Sequence, residues 1–349
     1  MVGEHETEDL RDSRAERLHS GGDWSVISGS AHPALASRVA LLAGLPIQYT
    51  KLERFPDGEI KPQIRSPLHG KGAFIVQSTS PPVNDNLLEL ILSIAAVLDA
   101  GAEQVIAVIP YFGYARQCKK GSRGEPLSAC VVAHLIEEAG AQAILTLDVH
   151  DPGVFNQTGV SLINVRIEEA VAEAIREHFP LDSEPVIVTP DEGGAERVWR
   201  VSTLLELPRA VLEKHRAHAR DKPRAAVKEC TLPTLNGRHA IIVDDIVTTG
   251  NTLIAAARTL REEGAEVLGA ICTHGVFTPA TTSRLADVAL PLLLVSDSIP
   301  CSWTPPFVRQ FPVAPVLANA ITQFLGVRDR RVSPLKTREE DTPGTSREA

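Results

Sequence analysis

Residues 240–252 read Ala240-Ile241-Ile242-Val243-Asp244-Asp245-Ile246-Val247-Thr248-Thr249-Gly250-Asn251-Thr252. An apolar run goes straight into two carboxylates and a Thr/Gly turn, and helical periodicity starts near Leu253. Such a run is a buried strand that reaches the edge of its sheet. The turn presents backbone N–H groups and hydroxyls at a helix N-terminus, a natural phosphate site. Asp244 and Asp245, at the strand end, can hold sugar hydroxyls or a hydrated metal ion. Taken alone, the segment also fits an acidic turn before a capped helix.

Outward from it, apolar runs and helical stretches alternate. Strands are predicted at 24–28, 73–76, 104–109 and 143–147, with helices at 33–43, 84–100 and 128–139 between them. The alternation resumes with strands at 186–189, 209–213, 239–244, 266–273 and 291–295, and helices at 166–178, 193–206, 251–263 and 279–286. This βαβ signature occurs twice, which predicts an α/β fold of two similar domains, each a mostly parallel sheet flanked by helices. Ligands then belong at the carboxyl ends of the strands, near the domain junction. The domains are expected at 23–164, joined by a C-terminal helix over 308–327, and at 165–307. Residues 1–22 and 328–349 are too polar to offset their chain entropy and read as disordered tails. The helix at 84–100 opens with Asn84-Asp85-Asn86, an N-cap cluster. Its interior, Leu87 to Leu98, is apolar nearly all round, which predicts burial on every side, with another subunit as one cover.

Composition narrows the class. A chain of 349 residues with 43% apolar content suits two packed domains. No run approaches the roughly 20 apolar residues of a membrane helix, and the charged start lacks a secretory core, so no membrane association is expected. Five scattered cysteines exclude a disulfide framework or a zinc site and suit the cytoplasm. A net charge of −9 argues against nucleic acid as a partner. There is no Walker loop, so any ATP is held by other means.

Five further segments carry chemistry. Arg54-Phe55-Pro56-Asp57-Gly58-Glu59 is a turn with an aromatic face able to stack a base and carboxylates able to accept from its amine. Tyr111 to Gln117 follows a strand and places Arg116 and Gln117 at a sheet edge, where a guanidinium suits phosphate oxygens. Leu147-Asp148-Val149-His150 and Val188-Thr189-Pro190-Asp191 end two more strands, so that His150 and Asp191 can jointly ligate a divalent ion. After Val211-Leu212-Glu213 comes Lys214-His215-Arg216, followed by a polar run to Arg224.

The stretch 244–252 resembles the phosphoribosyl-binding loop of the phosphoribosyltransferase fold. Together with Val76 to Ser80, Asn84-Asp85-Asn86 and Thr273-His274, the segments resemble, in order from Trp24 to about Leu325, the ribose-phosphate diphosphokinases (PRPP synthetases). The resemblance implies transfer of the diphosphate of ATP to the anomeric hydroxyl of ribose 5-phosphate, with Mg2+ as cofactor and a homo-oligomer, dimer or hexamer. It implies ATP contacts from Phe55, Asp57 and Glu59, acting in a neighbour's site, and from Arg116 and Gln117. Asp244 and Asp245 would hold the ribose hydroxyls, and Thr248, Thr249, Gly250 and Thr252 the 5-phosphate. His150 and Asp191 would bind metal. Lys214 and Arg216 would stabilise the transferring diphosphate on a closing loop. Cys118 and Gly121 stand where many members are acidic, and Thr248 replaces a typical Asp. Those departures motivate one alternative, a non-catalytic subunit that regulates a true synthetase. The loop alone also fits a second, a nucleobase phosphoribosyltransferase.

Overall fold

The computed structural model describes residues 23–215, 224–277, 279–301 and 305–326; the predicted tails at 1–22 and 328–349 lie outside them. The chain begins with β1 (Trp24–Ser28), α1 (Pro33–Ala43), β2 (Ile47–Tyr49), β3 (Lys51–Arg54), β4 (Ile60–Gln63), β5 (Gly72–Val76) and α2 (Val83–Asp99). It continues with β6 (Gln104–Ile109), α3 (Ser128–Glu138), β7 (Ala143–Leu147) and β8 (Ser161–Val165). Strands β2-β1-β5-β6-β7-β8 form one sheet, parallel throughout, and β3 and β4 form a separate antiparallel hairpin.

Next come α4 (Glu168–His178), β9 (Val186–Thr189), α5 (Ala195–Leu205), β10 (Arg209–His215) and β11 (Arg224–Cys230). The last elements are β12 (His239–Val247), α6 (Asn251–Glu262), β13 (Glu266–Gly275), α7 (Pro279–Asp287), β14 (Leu293–Ser296), β15 (Val308–Phe311) and α8 (Ala314–Phe324). The second sheet runs β11-β10-β9-β12-β13-β14-β15, with only β11 antiparallel. Among the described residues no helix is long and apolar enough to cross a membrane.

Central strands are buried on both faces because helices cover both sides of each sheet. Ile27, Ile75, Ala107 and Ile109 face α2 and α3. Their neighbours Val26, Phe74, Val76 and Val108 face a second layer, built from α1, α4, α5 and α8. Ile187, Ile241, Val243 and Ile271 of the second sheet enter that same layer, so one apolar core joins the two sheets. A third core lies under α6 and α7.

Two expectations need correction. Residues 308–327 are not one helix: Val308–Phe311 is a strand paired with β14, and the helix starts at Ala314. The reason is Pro312, which lacks an N–H and disfavours helical backbone at Phe311. Phe324 then packs edge-on against Trp24 and Phe74, with centroids 5.8 Å apart in both pairs. Within one chain helix α2 leaves Leu88 50% exposed, on the side for which another subunit is the expected cover. Its buried face includes polar Asn86, Glu89 and Ser93. Asn84-Asp85-Asn86 does not cap it: the N-cap is Pro82, with no side-chain cap bond. Those side chains are engaged elsewhere. Asn86 Nδ2 donates to Ser80 O at 2.7 Å, Asp85 pairs with Arg54, and Asn84 accepts from the Tyr114 hydroxyl.

Candidate active site

Strand β12 continues past both carboxylates to Val247, because β13 pairs with it as far as Val247↔Gly275. The pairing embeds Asp244 and Asp245 in the ladder instead of leaving them in a loop. Thr248, Thr249 and Gly250 then turn the chain into α6. Gly250 is the N-cap, at φ 76°, and makes no side-chain cap bond. A side chain there would adopt an unfavourable left-handed backbone and place Cβ 3.1 Å from Leu285. The first turn of α6, including Thr252, therefore presents its N–H groups at the end of the strand, as an anion site requires.

The two adjacent carboxylates behave differently. Burial and the charge of Asp245 push Asp244 up to about 8. Burial also opposes ionisation of Asp245, yet a hydrogen bond from His150 and the charge of Arg197 hold it down at about 2. His150 Nδ1 donates to Asp245 Oδ2 at 2.6 Å. That bond, from the end of the first sheet to the end of the second, raises the imidazole above its usual range against the opposing effect of burial.

The strand end at 147–150 is held at each residue. His274 Nε2 donates to Leu147 O at 3.1 Å. Asp148 accepts from Arg197 Nε and Nη2, both at 3.1 Å, and from the Thr273 hydroxyl at 2.6 Å. Val149 N donates to Asn164 Oδ1 at 2.9 Å. Burial disfavours the charge on Arg197, but Asp148 and Asp245 more than reverse this, so the guanidinium stays protonated. His274 is buried and held below the usual histidine range. Its Nδ1 faces the Ser298 hydroxyl at 2.9 Å, and the Tyr111 ring meets it edge-on at 5.1 Å.

The loop after β6 reaches the same place. Arg116 Nη1 donates to Thr248 Oγ1 at 3.4 Å, which links the 111–117 segment to the turn after β12. Gln117 Oε1 accepts from the Ser128 hydroxyl at 2.5 Å, beside its own helix. Between the sheets, Tyr111, Arg116, Asp148, His150, Asp245 and His274 line one cleft. Asp191 opens a short 3-10 turn after β9 and adds to the negative field at Asp244. No group of three or more metal-ligating side chains occurs among the described residues.

One predicted segment, the β3–β4 hairpin, lies apart from this cluster. Phe55, Asp57 and Glu59 cap the β3–β4 hairpin, all exposed, with Gly58 at φ 99° completing the turn. Arg54 braces the hairpin by donating to Gly58 O and pairing with Asp85. Lys214 lies on β10, paired with Ala225 of β11, whereas Arg216 lies outside the described residues. The sequence reading gave no role to Asp148, Arg197 or His274. The available signal for Asp148 was its place at the same strand end as His150; nothing local marks Arg197.

Comparison with known proteins agrees along the chain. Residues 24–140 match the N-terminal domain of ribose phosphate pyrophosphokinase, and residues 162–290 match the phosphoribosyl transferase domain. The ribose-phosphate pyrophosphokinase of Maricaulis maris is 38% identical, over 89% of this chain and 99% of its own length. That of Staphylococcus haemolyticus is 37% identical, over 87% and 94%. Among solved structures, phosphoribosylpyrophosphate synthetase from Mycobacterium smegmatis superimposes with a TM-score of 0.77 at 29% identity, covering 87% of this chain and 99% of that one.

Proposed function

We propose residue roles from a plain premise: this chain belongs to the ribose-phosphate pyrophosphokinase family and transfers the diphosphate of ATP to ribose 5-phosphate, giving 5-phosphoribosyl 1-diphosphate and AMP. The observation that carries the assignment of roles is the 2.6 Å bond between His150 and Asp245. It brings the edge of the first sheet, the ATP side, against the edge of the second, the sugar side.

Ribose 5-phosphate binds with its phosphate on Thr248, Thr249, Gly250 and Thr252 at the start of α6. Its hydroxyls meet Asp244 and Asp245. Asp245, which His150 and Arg197 hold low against the effect of burial, accepts from them, whereas burial and the charge of Asp245 raise Asp244 above the usual carboxylate range. Arg116 and Gln117 hold ATP within the same chain. Phe55, Asp57 and Glu59 take the adenine in a neighbouring copy, so the working unit is at least a dimer. The anomeric oxygen attacks the β-phosphorus, the bond from that phosphorus to the oxygen bridging it to the α-phosphorus breaks, and AMP leaves. Lys214 and Arg216 neutralise charge developing on the transferred group.

Magnesium fits this donor set. It keeps several waters and substrate phosphates in its shell and needs only one or two protein ligands. His150, whose Nδ1 is taken by Asp245, and Asp191 would hold it. Held there, the ion would supply positive charge that offsets the charge of the phosphates. The five cysteines are free thiols, in keeping with a reaction in the cytoplasm.

The test is AMP formation from ATP and magnesium, with and without ribose 5-phosphate, for the wild type and Lys214→Ala. Sugar-dependent AMP that falls ~100-fold or more in the variant is expected, the scale of a lost transition-state charge contact. AMP formation unchanged in Lys214→Ala would remove that residue from catalysis. No AMP from the wild type over a range of metal and phosphate concentrations would favour the regulatory subunit.

A further inference from the structure

We infer that Arg197 is a positioning residue for diphosphate transfer: through Asp148 and Thr273 it locks the end of β7 onto the second domain and so holds His150 against Asp245. The inference rests on the roles proposed above for His150 and Asp245. Its own basis is the geometry of residues 147–150.

Two consecutive residues at the end of β7, Leu147 and Asp148, are grasped by two consecutive residues of β13, His274 and Thr273. Arg197, in the first turn of α5, closes the grip from the other side with two parallel N–H···O bonds to Asp148. A forked guanidinium fixes both the distance and the plane of a carboxylate, which a single ammonium cannot do. The pair is well shielded, with side-chain exposures of 15% for Arg197 and 16% for Asp148.

Asp148 also has φ 43°, a left-handed conformation uncommon outside glycine. Such a residue persists where its surroundings over-determine it. Here three donors from two elements of the other domain do so. The left-handed turn reverses the chain after β7, and two residues later His150 meets Asp245. Arg197 thus ties the strand end that leads to His150 to the helix that follows Asp191. None of its hydrogen bonds needs a substrate.

The experiment compares Arg197→Lys, Asp148→Asn and the double variant Asp148→Asn/Arg197→Gln with the wild-type oligomer. Asparagine tolerates left-handed backbone, so Asp148→Asn removes charge and keeps the turn. We measure kcat, KM for each substrate, melting temperature, and amide hydrogen exchange at residues 148–150. Both single variants should lose ~10–100-fold in kcat, the scale of a misplaced reacting group, with little change in either KM. The double variant, free of any unpaired buried charge, should regain melting temperature without regaining kcat. Exchange at 148–150 should quicken in Arg197→Lys.

Wild-type kcat in Arg197→Lys would overturn the inference. So would activity that recovers together with melting temperature in the double variant, which would mark a purely structural pair. A rise in one KM in the Arg197 variant alone, with Asp148→Asn unaffected, would mark a direct substrate contact instead. The exchange measurement does not depend on catalysis. Unchanged exchange in Arg197→Lys would sink the clamp whatever the enzyme's activity, whereas an inactive wild type with quickened exchange in the variant would count against the functional reading alone.

Discussion

The strand end at 147–150 and the hairpin at 51–63 both carry side chains assigned to the ATP side, and they are built in opposite ways. In the first, backbone and side chains are tied to residues up to 127 positions away in sequence, and Thr273, His274 and Asp245 among those partners are buried. In the second, Phe55, Asp57 and Glu59 sit on an exposed turn whose hydrogen bonds are almost all local: Phe55 N to Glu59 O, Gly58 N to Phe55 O, Glu59 N to Asp57. Phe55 is 40% exposed, a poor use of an aromatic ring unless something covers it. The contrast teaches where each half of the site gets its order. The junction is held by contacts within one chain, whereas the hairpin holds its shape locally, and the role proposed for it lies in a neighbouring copy.

The contrast is tested most severely at Asp245. Asp245→Asn keeps the shape but removes the charge that binds His150, and kcat should fall ~100–1000-fold, the range for losing a preorganised electrostatic contact. A loss of ten-fold or less would mean that the junction contributes little to the reaction.

On the hairpin, Phe55→Ala should raise KM for ATP by ~10-fold, the order of a lost aromatic contact, while KM for ribose 5-phosphate stays put. Stability should move by no more than ~0.5 kcal/mol, as at other exposed sites. Mixing Phe55→Ala with Lys214→Ala subunits sharpens this. If the hairpin serves a neighbour, a mixed oligomer contains sites with both residues intact, and turnover exceeds the sum of the two pure variants. Strict additivity would place the hairpin in its own chain's site.

The smallest effect concerns buried His274. Its folded pKa is lowered by burial, so below the ordinary value near 6.5 the unfolded chain takes up a proton that the folded one resists. Stability contributed by this site is therefore constant above that pH and declines as pH falls through and below it. His274→Gln, which cannot titrate, should flatten that part of the curve in melting experiments between pH 7 and 5. An unchanged slope would assign the acid sensitivity to another group.

Much of this was legible in the sequence. The run from Ala240 into Asp244-Asp245 and the turn at 248–250 announced a buried strand that turns into a helix, because each signal lies within a few residues. Alternation placed most strands within two residues of their observed ends. The error over 308–327 was avoidable, since Pro312 marks the break in the sequence itself. The cover of α2 is a different matter. Apolar residues around a helix indicate cover, but Leu88 stays open within the chain while Glu89 is buried by accepting from Ser30.

The sequence by itself determined the two-fold βαβ alternation, the turn between β12 and α6 and the list of candidate residues, since strand period, helix period and turn chemistry are properties of neighbouring residues. Only the tertiary structure decided that Asp148 pairs with Arg197, that His150 reaches Asp245, that Arg116 reaches Thr248, and that two equal carboxylates side by side ionise differently. Each of those depends on the packing of two sheets through a shared core and on how much water that packing removes, and neither is encoded at short range.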